Sequence, residues 1–400
     1  MAIGRSVVVL TPGGGHARRL LSVVAGLRAR DIDVHVMTRP EVRAAVEAAG
    51  GTFVDLFARF PIDAVDRESL PFPSRFVTFA AAYVEPLAAD IARLNPALIV
   101  YDSFMVVAPL VGRRLGIPYV SMRAGHAQVP GPAIAAIAAE PSVAISAACL
   151  DAVRRLRDEH GLEDATPFAY LAGVSPHLNL YPEPSQYLDA GQAAAFAPIA
   201  FFGSLTLHRA AEAVPIFPGS GLKNVYVSFG TAVWRYYADS ALGAMGVLAD
   251  AAAASDVEMV ISLGGYDAES TARHRIGRRH VRVETYVDQE AALREADIFV
   301  THHGLNSTHE AAFQGVPMLS YPFFGDQPSM AACCQSLGFA MPLSSGLRQP
   351  LDLQGVVDRF QAVVAHRQEL TARLRQAREW ELDVMESRAS VIDRMLALAD

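Results

Sequence analysis

The sequence has no long block of lysine and arginine. Asp and Glu number 42 against 34 Lys and Arg, for a net charge of −8. That balance argues against nucleic acid as the main partner, so any phosphate must be held by local dipoles and a few donors. Cysteine is scarce, with only Cys149, Cys333 and Cys334. An odd number that includes an adjacent pair argues against a disulfide framework and for free or buried thiols in a reducing cytoplasm. No basic and apolar leader precedes the strand-like Val7–Leu10, which argues against a signal peptide. The longest apolar stretches are broken by Asp102, Arg113, Arg114 or proline short of the about 20 residues a membrane span needs. The expectation is a cytoplasmic protein without stable membrane anchoring.

Other signatures are also missing. The glycines Gly13, Gly14 and Gly15 do not complete G-x-G-x-x-G, because the pattern runs on to Arg18, and no acidic residue is suitably placed after the next strand. A nicotinamide dinucleotide is therefore not expected. There is no G-x-S-x-G elbow of a hydrolase. His302, His303 and His309 lack the cysteines or carboxylates that would complete a metal set. Asp31-Ile32-Asp33 has the form of a metal-binding D-x-D, but it precedes a strand and reads as a solvated turn. Neither an internal repeat nor a low-complexity tract is present beyond alanine-rich helices.

What remains is an ordinary globular composition, 52% hydrophobic and 19% charged over 400 residues, enough for two domains with their own cores. In the first half, Val7–Leu10, Val34–Met37 and Leu98–Tyr101 read as strands, with a helical stripe of Leu20, Val24 and Leu27 between the first two. The second half restarts the scheme with Val225–Phe229, Met259–Leu263, Val281–Val287, Ile298–Thr301 and Met318–Tyr321. Strand–helix alternation implies parallel α/β sheets. Pro182-Glu183-Pro184 and Ala213–Gly221 look like connecting segments, and the boundary falls near residue 215.

The most informative stretch is Thr301–Gln327. A strand ends at Val300 and runs into His302-His303-Gly304-Leu305-Asn306-Ser307, followed by a helical segment. Strand, small-residue turn and helix is how an α/β protein points free backbone N–H groups at phosphate. The next strand ends in Gly325-Asp326-Gln327, a carboxylate beside an amide, suited to hydroxyl groups. Phosphate seat and hydroxyl reader on consecutive units imply a sugar nucleotide. In the first half, His16 follows the turn Thr11–Gly15, where an imidazole can take a proton from a hydroxyl or merely cap the helix. Asp102, directly after a strand of the same sheet, favours the first reading, because a carboxylate there would orient the ring.

These residues carry a resemblance. Tyr286-Val287-Asp288-Gln289, then Thr301-His302-His303-Gly304-Leu305-Asn306-Ser307-Thr308-His309-Glu310, Gly315-Val316-Pro317-Met318 and Asp326-Gln327 resemble, in order and spacing, the donor signature of the UDP-glycosyltransferase family. That family includes plant glucosyltransferases and bacterial antibiotic and macrolide glycosyltransferases. The resemblance implies the GT-B arrangement, α/β with two Rossmann-like doubly wound parallel-sheet domains facing across a cleft. Residues 1–215 would bind the acceptor and 216–378 the nucleotide sugar, with 379–400 a helix crossing back and Trp380 marking the crossing. It also implies that Glu310 binds ribose, Tyr286 stacks on the base, and Gln289 holds base or ribose. Ser228, Gly230 and Thr231 would contact phosphate together with His302, Gly304, Asn306 and Ser307. His16 and Asp102 match the family's base and its partner. Three departures are visible. Arg19 stands where members often have proline, which concerns helix entry more than proton transfer. Tyr286 replaces tryptophan, and Asp288 replaces proline without an obvious chemical role.

The activity implied is inverting, metal-independent and cofactor-free transfer of a hexose from a nucleotide diphosphate sugar to a hydroxyl of a hydrophobic natural product. Asp326 and Gln327 favour UDP-glucose over a dTDP-deoxysugar. Phe72, Phe76, Phe79 and Tyr83 suit an acceptor wall, although their helical spacing fits core packing equally well. The segment Met122–Pro132 should line the acceptor site. A sugar-nucleotide epimerase and a non-catalytic sugar-nucleotide binder are the alternatives from other classes. Monomer and homodimer are both compatible.

Overall fold

The computed structural model describes residues 6–206, 215–266 and 275–399. Ala213 and Val214 of the expected connecting segment lie outside the described residues. The chain forms two compact units, residues 1–206 with 384–400, and residues 207–383.

The first unit holds a seven-stranded sheet in the order β3-β2-β1-β4-β5-β6-β7. Its strands are β1 (Ser6–Leu10), β2 (Asp33–Thr38), β3 (Thr52–Asp55), β4 (Pro96–Asp102), β5 (Tyr119–Met122), β6 (Leu178–Tyr181) and β7 (Ile199–Phe201). All pair in parallel, with Leu10 opposite Tyr101. The sequence run Val7-Val8-Val9-Leu10 is buried on both faces, as a strand covered by helices on each side must be. One face packs on the Arg75–Leu94 helix through Phe76, Phe79, Val84, Leu87 and Ile91, a three-to-four-residue apolar stripe. That helix stops at Asn95, in the left-handed conformation at φ 45°, just before Pro96. The other face packs on the Gly14–Arg28 helix and on Val391, Ile392 and Met395 of the last helix. That helix runs unbroken from Arg367 to Leu396, and its residues from Val384 onward belong to the first unit; Trp380 lies in the second. Pro182–Pro184 is not a connector. It lies between β6 and β7, and Glu183 is fully buried against His126 at 2.9 Å.

The second unit holds a six-stranded sheet, β10-β9-β8-β11-β12-β13. Its strands are β8 (Lys223–Ser228), β9 (Val257–Ser262), β10 (Val281–Glu284), β11 (Ile298–Thr301), β12 (Met318–Ser320) and β13 (Ala340–Pro342). All are parallel, with Thr301 opposite Ser228. In both sheets the winding reverses beside the first strand of the unit, between β1 and β4 and between β8 and β11. The carboxyl ends of strands at such a reversal leave a crevice where ligands bind in open α/β sheets. His16 and Asp102 follow β1 and end β4. Ser228 and His302 end β8 and follow β11.

Candidate active site

In the first unit the chain leaves β1 through Pro12 into Gly13 at φ 100°, a conformation that favours glycine, and the helix starts at Gly14. His16 therefore sits in the first turn, with its side chain 29% exposed. Its Nδ1 is 2.9 Å from Asp102 Oδ2, and among the described residues its Nε2 has no protein partner. Asp102 is fully buried, and its Oδ1 accepts from the Phe104 N–H at 3.0 Å. Burial alone would raise this carboxyl. The His16 ring, then Arg19 and the Phe104 N–H, outweigh it and hold Asp102 below the ordinary carboxylate range. The Phe104 ring lies 4.6 Å from the imidazole and 5.0 Å from Tyr170. A buried anion on one ring nitrogen with the other unclaimed can accept a proton from a hydroxyl.

Arg19 is a correction. It does not merely enter the helix. It is 3% exposed, its Nη1 donates to Ala124 O at 2.5 Å, and its Nη2 lies 2.9 Å from His16 Nδ1 and 3.4 Å from Asp102 Oδ2. Three residues on from His16 along a helix is the same face. That spacing was the available signal.

In the second unit, three groups of expected residues assemble. The His302 ring lies between two glycines, since a Cβ on Gly230 would meet its Nε2 at 2.7 Å and one on Gly304 at 2.4 Å. Burial pushes His302 down to about 4, partly offset by the backbone at Ser228. The ring is thus neutral at physiological pH. Its neighbour His303 adopts φ 60°, held there by Nε2 to Ser320 Oγ at 2.7 Å and Nδ1 to Thr308 Oγ1 at 3.3 Å. The loop is tied down from the other side as well. Trp234 Nε1 donates to Gly230 O at 3.0 Å, and its ring stacks on Tyr266 at 4.8 Å. Ser228 Oγ accepts weakly from Gly230 N at 3.4 Å, and Thr231 is exposed.

The helix Leu305–Gln314 has Gly304 as N-cap and no side-chain cap. The N–H groups of its first turn, beside half-buried Asn306 and Ser307, carry a partial positive charge of the kind that can seat a phosphate. One turn on, Gln289 Nε2 donates to Ser307 Oγ at 3.0 Å and to Glu310 Oε2 at 2.5 Å, joining the two residues expected at the nucleoside to one expected at the phosphates. Tyr286 is 64% exposed, a bare ring suited to stacking, whereas the Val287 side chain is buried core. Asp288, left without a role by its sequence, caps the Gln289–Glu295 helix by accepting from Ala291 N at 3.1 Å. Asp326 is half-buried at the start of the Gln327–Ser336 helix. Gln327 folds inward, its Oε1 accepting from Phe323 N at 2.8 Å and Phe324 N at 3.2 Å, so only its amide N–H is left to meet a ligand.

Of the aromatic residues considered for the acceptor, Phe76 and Phe79 are core, while Phe72 and Tyr83 are half-buried. His309, fully buried, pairs with Glu381 at 2.5 Å and ties its helix to the last one. Among the described residues no three His, Cys, Asp or Glu side chains are grouped to hold a metal ion, no helix is long and apolar enough to cross a membrane, and none of the three cysteines is in a disulfide.

Two doubly wound sheets, each with a ligand-ready loop at its winding reversal, define a glycosyltransferase of the GT-B class. More particularly, residues 215–360 match the family model of UDP-glucoronosyl and UDP-glucosyl transferases. The chain is 23% identical to the uncharacterized UDP-glucosyltransferase YdhE of Bacillus subtilis over 82% of both chains. Its fold is similar to that of the glycotransferase of kitacinnamycin, with a TM-score of 0.76 at 22% identity over 98% of this chain and 99% of that one. It is also similar to the glycosyltransferase VinC in complex with dTDP, with a TM-score of 0.60 at 18% identity over 99% of both.

Proposed function

We propose that the protein transfers a hexose, with inversion and without a metal or other cofactor, from a nucleotide diphosphate sugar to a hydroxyl of a hydrophobic small-molecule natural product. His16 takes the acceptor's proton at Nε2, and the acceptor oxygen attacks the anomeric carbon as the bond to the diphosphate breaks. Asp102 orients the ring and stabilises the imidazolium that forms. The first turn of the Leu305–Gln314 helix, with His302 as a neutral dipole and Asn306 and Ser307 beside it, receives the charge that develops on the departing diphosphate. Tyr286 stacks on the base, Gln289 and Glu310 hold the ribose, and Ser228, Gly230 and Thr231 lie along the phosphates.

The observation that carries this reading is the 2.9 Å contact between half-exposed His16 and fully buried Asp102, a base and its orienter that a mere binder has no use for. UDP-glucose is the favoured donor. The matched family supports it, and Asp326 provides a carboxylate for sugar hydroxyls. A dTDP-deoxysugar is the second reading, supported by the dTDP in the VinC complex and by the inward turn of Gln327, which leaves fewer groups for hydroxyls. The kitacinnamycin glycotransferase, similar in fold, is the support for the acceptor class.

Calorimetric titration with UDP, dTDP and NAD(H) tests the donor. Mass spectrometry of UDP-glucose incubations with a panel of polyphenols and macrolides tests the transfer. UDP binding with a hexose added to a panel member is the expected outcome. Turnover of UDP-glucose alone to another sugar nucleotide would make the protein an epimerase, and no affinity for either nucleotide would overturn the reading.

A further inference from the structure

Arg19 has no part in the reaction as written so far, yet it is a buried cation in contact with both members of the proton-accepting pair. We propose that Arg19 is a positioning residue of the transfer: its guanidinium holds the Asp102 carboxylate in place and, by its charge, keeps the His16 ring neutral until the acceptor's proton arrives. The inference rests on the reading of His16 as the base.

A base must be unprotonated at rest, and it must present a lone pair at Nε2. The second requirement places the ring proton on Nδ1, donating to Asp102 Oδ2 at 2.9 Å. If Nδ1 were instead bare and accepted from Arg19 Nη2, also at 2.9 Å, the proton would sit on Nε2, where no hydroxyl proton could then be taken. The buried anion selects the first arrangement, because a bare nitrogen would set lone pair against lone pair. The anion works against the first requirement, however, since a carboxylate in contact with an imidazole also favours the imidazolium.

Arg19 opposes that tendency. Its charge lies as near the ring as the carboxylate does, and its Nη1 is tethered to Ala124 O, so it does not swing away with the exposed surface. The other groups around the pair add in the same direction or cancel. Arg123, at the end of β5, is 2% exposed and donates to Gly173 O at 2.6 Å and Leu171 O at 3.1 Å, and its charge also acts on Asp102. Glu41 and Arg39, of opposite sign, flank Gly13. Phe104 and Tyr170 present rings. One buried carboxylate thus faces two buried arginines. When His16 accepts a proton in the reaction, the carboxylate is already aligned to stabilise it.

Arg19→Met, with Arg19→Gln as a second neutral variant, removes the charge; Arg19→Lys keeps it but loses the fork that reaches two partners. Transfer is measured from about pH 5.5 to about pH 9, alongside UDP affinity and a nitrogen NMR titration of the His16 ring. The neutral variants should move the acid limb of kcat/KM upward by about one pH unit or more, the usual effect of a charge in contact, with UDP affinity unchanged. Arg19→Lys should keep the limb near its wild-type position while losing kcat. An acid limb that stays in place in both neutral variants overturns the proposal. If His16→Ala proves fully active, the base reading falls and the limb no longer reports on the ring. The NMR titration then decides alone, and equal midpoints in wild type and Arg19→Met overturn the charge effect.

Discussion

The His302 ring is buried between Gly230 and Gly304 and pushed down to about 4 from an ordinary 6.5. In the unfolded chain the same ring binds a proton below about 6.5, whereas the folded protein does not bind it until about 4. Between those values the unfolded state holds more protons, so stability is complete above about 6.5 and declines as the pH falls towards 4. Each unit of difference is worth about 1.4 kcal/mol, so the whole effect is about 3 kcal/mol, of which about 2 kcal/mol is lost between pH 7.5 and pH 5. Other buried groups, Asp102 among them, titrate as well. A comparison of wild type with His302→Asn at both pH values cancels them. Urea unfolding followed at about pH 7.5 and about pH 5 should show the stability difference between the two proteins shift by about 2 kcal/mol, in the direction that wild type loses more on acidification. A difference independent of pH would refute a buried neutral ring. A shift of opposite sign would mean that the folded protein holds the imidazolium, and the diphosphate would then meet a cation and not a dipole.

His16→Ala should reduce transfer by about 10²–10⁴-fold, the range for a lost general base, while calorimetry finds UDP affinity unchanged; full activity would remove His16 from the mechanism. Gly304→Ala places a Cβ 2.4 Å from His302 Nε2 and should weaken UDP binding about tenfold or more, because the ring must leave its slot. Glu310→Ala should weaken UDP binding by removing the proposed ribose partner and freeing Gln289, and an unchanged affinity would refute the proposed cradle. Asp288→Ala should cost about 1 kcal/mol of stability in thermal unfolding through the lost helix cap. EDTA should leave the transfer rate intact.

Much of the fold was legible because its strands announce themselves. Val7–Leu10, Val225–Phe229 and Ile298–Thr301 are β-branched or aromatic runs buried on both faces, and the small-residue turns after them mark the carboxyl edge of each sheet. The strands that escaped notice, β3, β6, β7 and β13, are only three or four residues long. β11 and β12 are as short, but a recognisable turn segment follows each; without such a marker a short segment has no period that separates it from a loop, and pairing to a neighbour already in place makes it a strand. The same holds for Pro182–Pro184, where two prolines suggest a linker and only the burial of Glu183 against His126 shows a packed turn.

At the candidate site, the residues that matched a pattern were easier to find than those that departed from it. Asp288 stands in place of proline, and both suit the start of a helix, one by presetting the backbone and the other by accepting an N–H; the exchange therefore needed no chemical role. Arg19 also stands in place of proline, but there the exchange is not neutral, since a guanidinium brings a charge and several donors to a position where proline brings neither. Helical spacing from His16 placed Arg19 on the inward face, and only the structure joins it to Ala124 and Asp102, more than eighty residues away in sequence. A charged side chain that is 3% exposed is retained at a cost in desolvation, and that cost is met by its hydrogen bonds to Ala124 O and to the Asp102 carboxylate. The departures that carry chemistry are thus the ones that bury a charge, and those that merely trade one helix start for another do not.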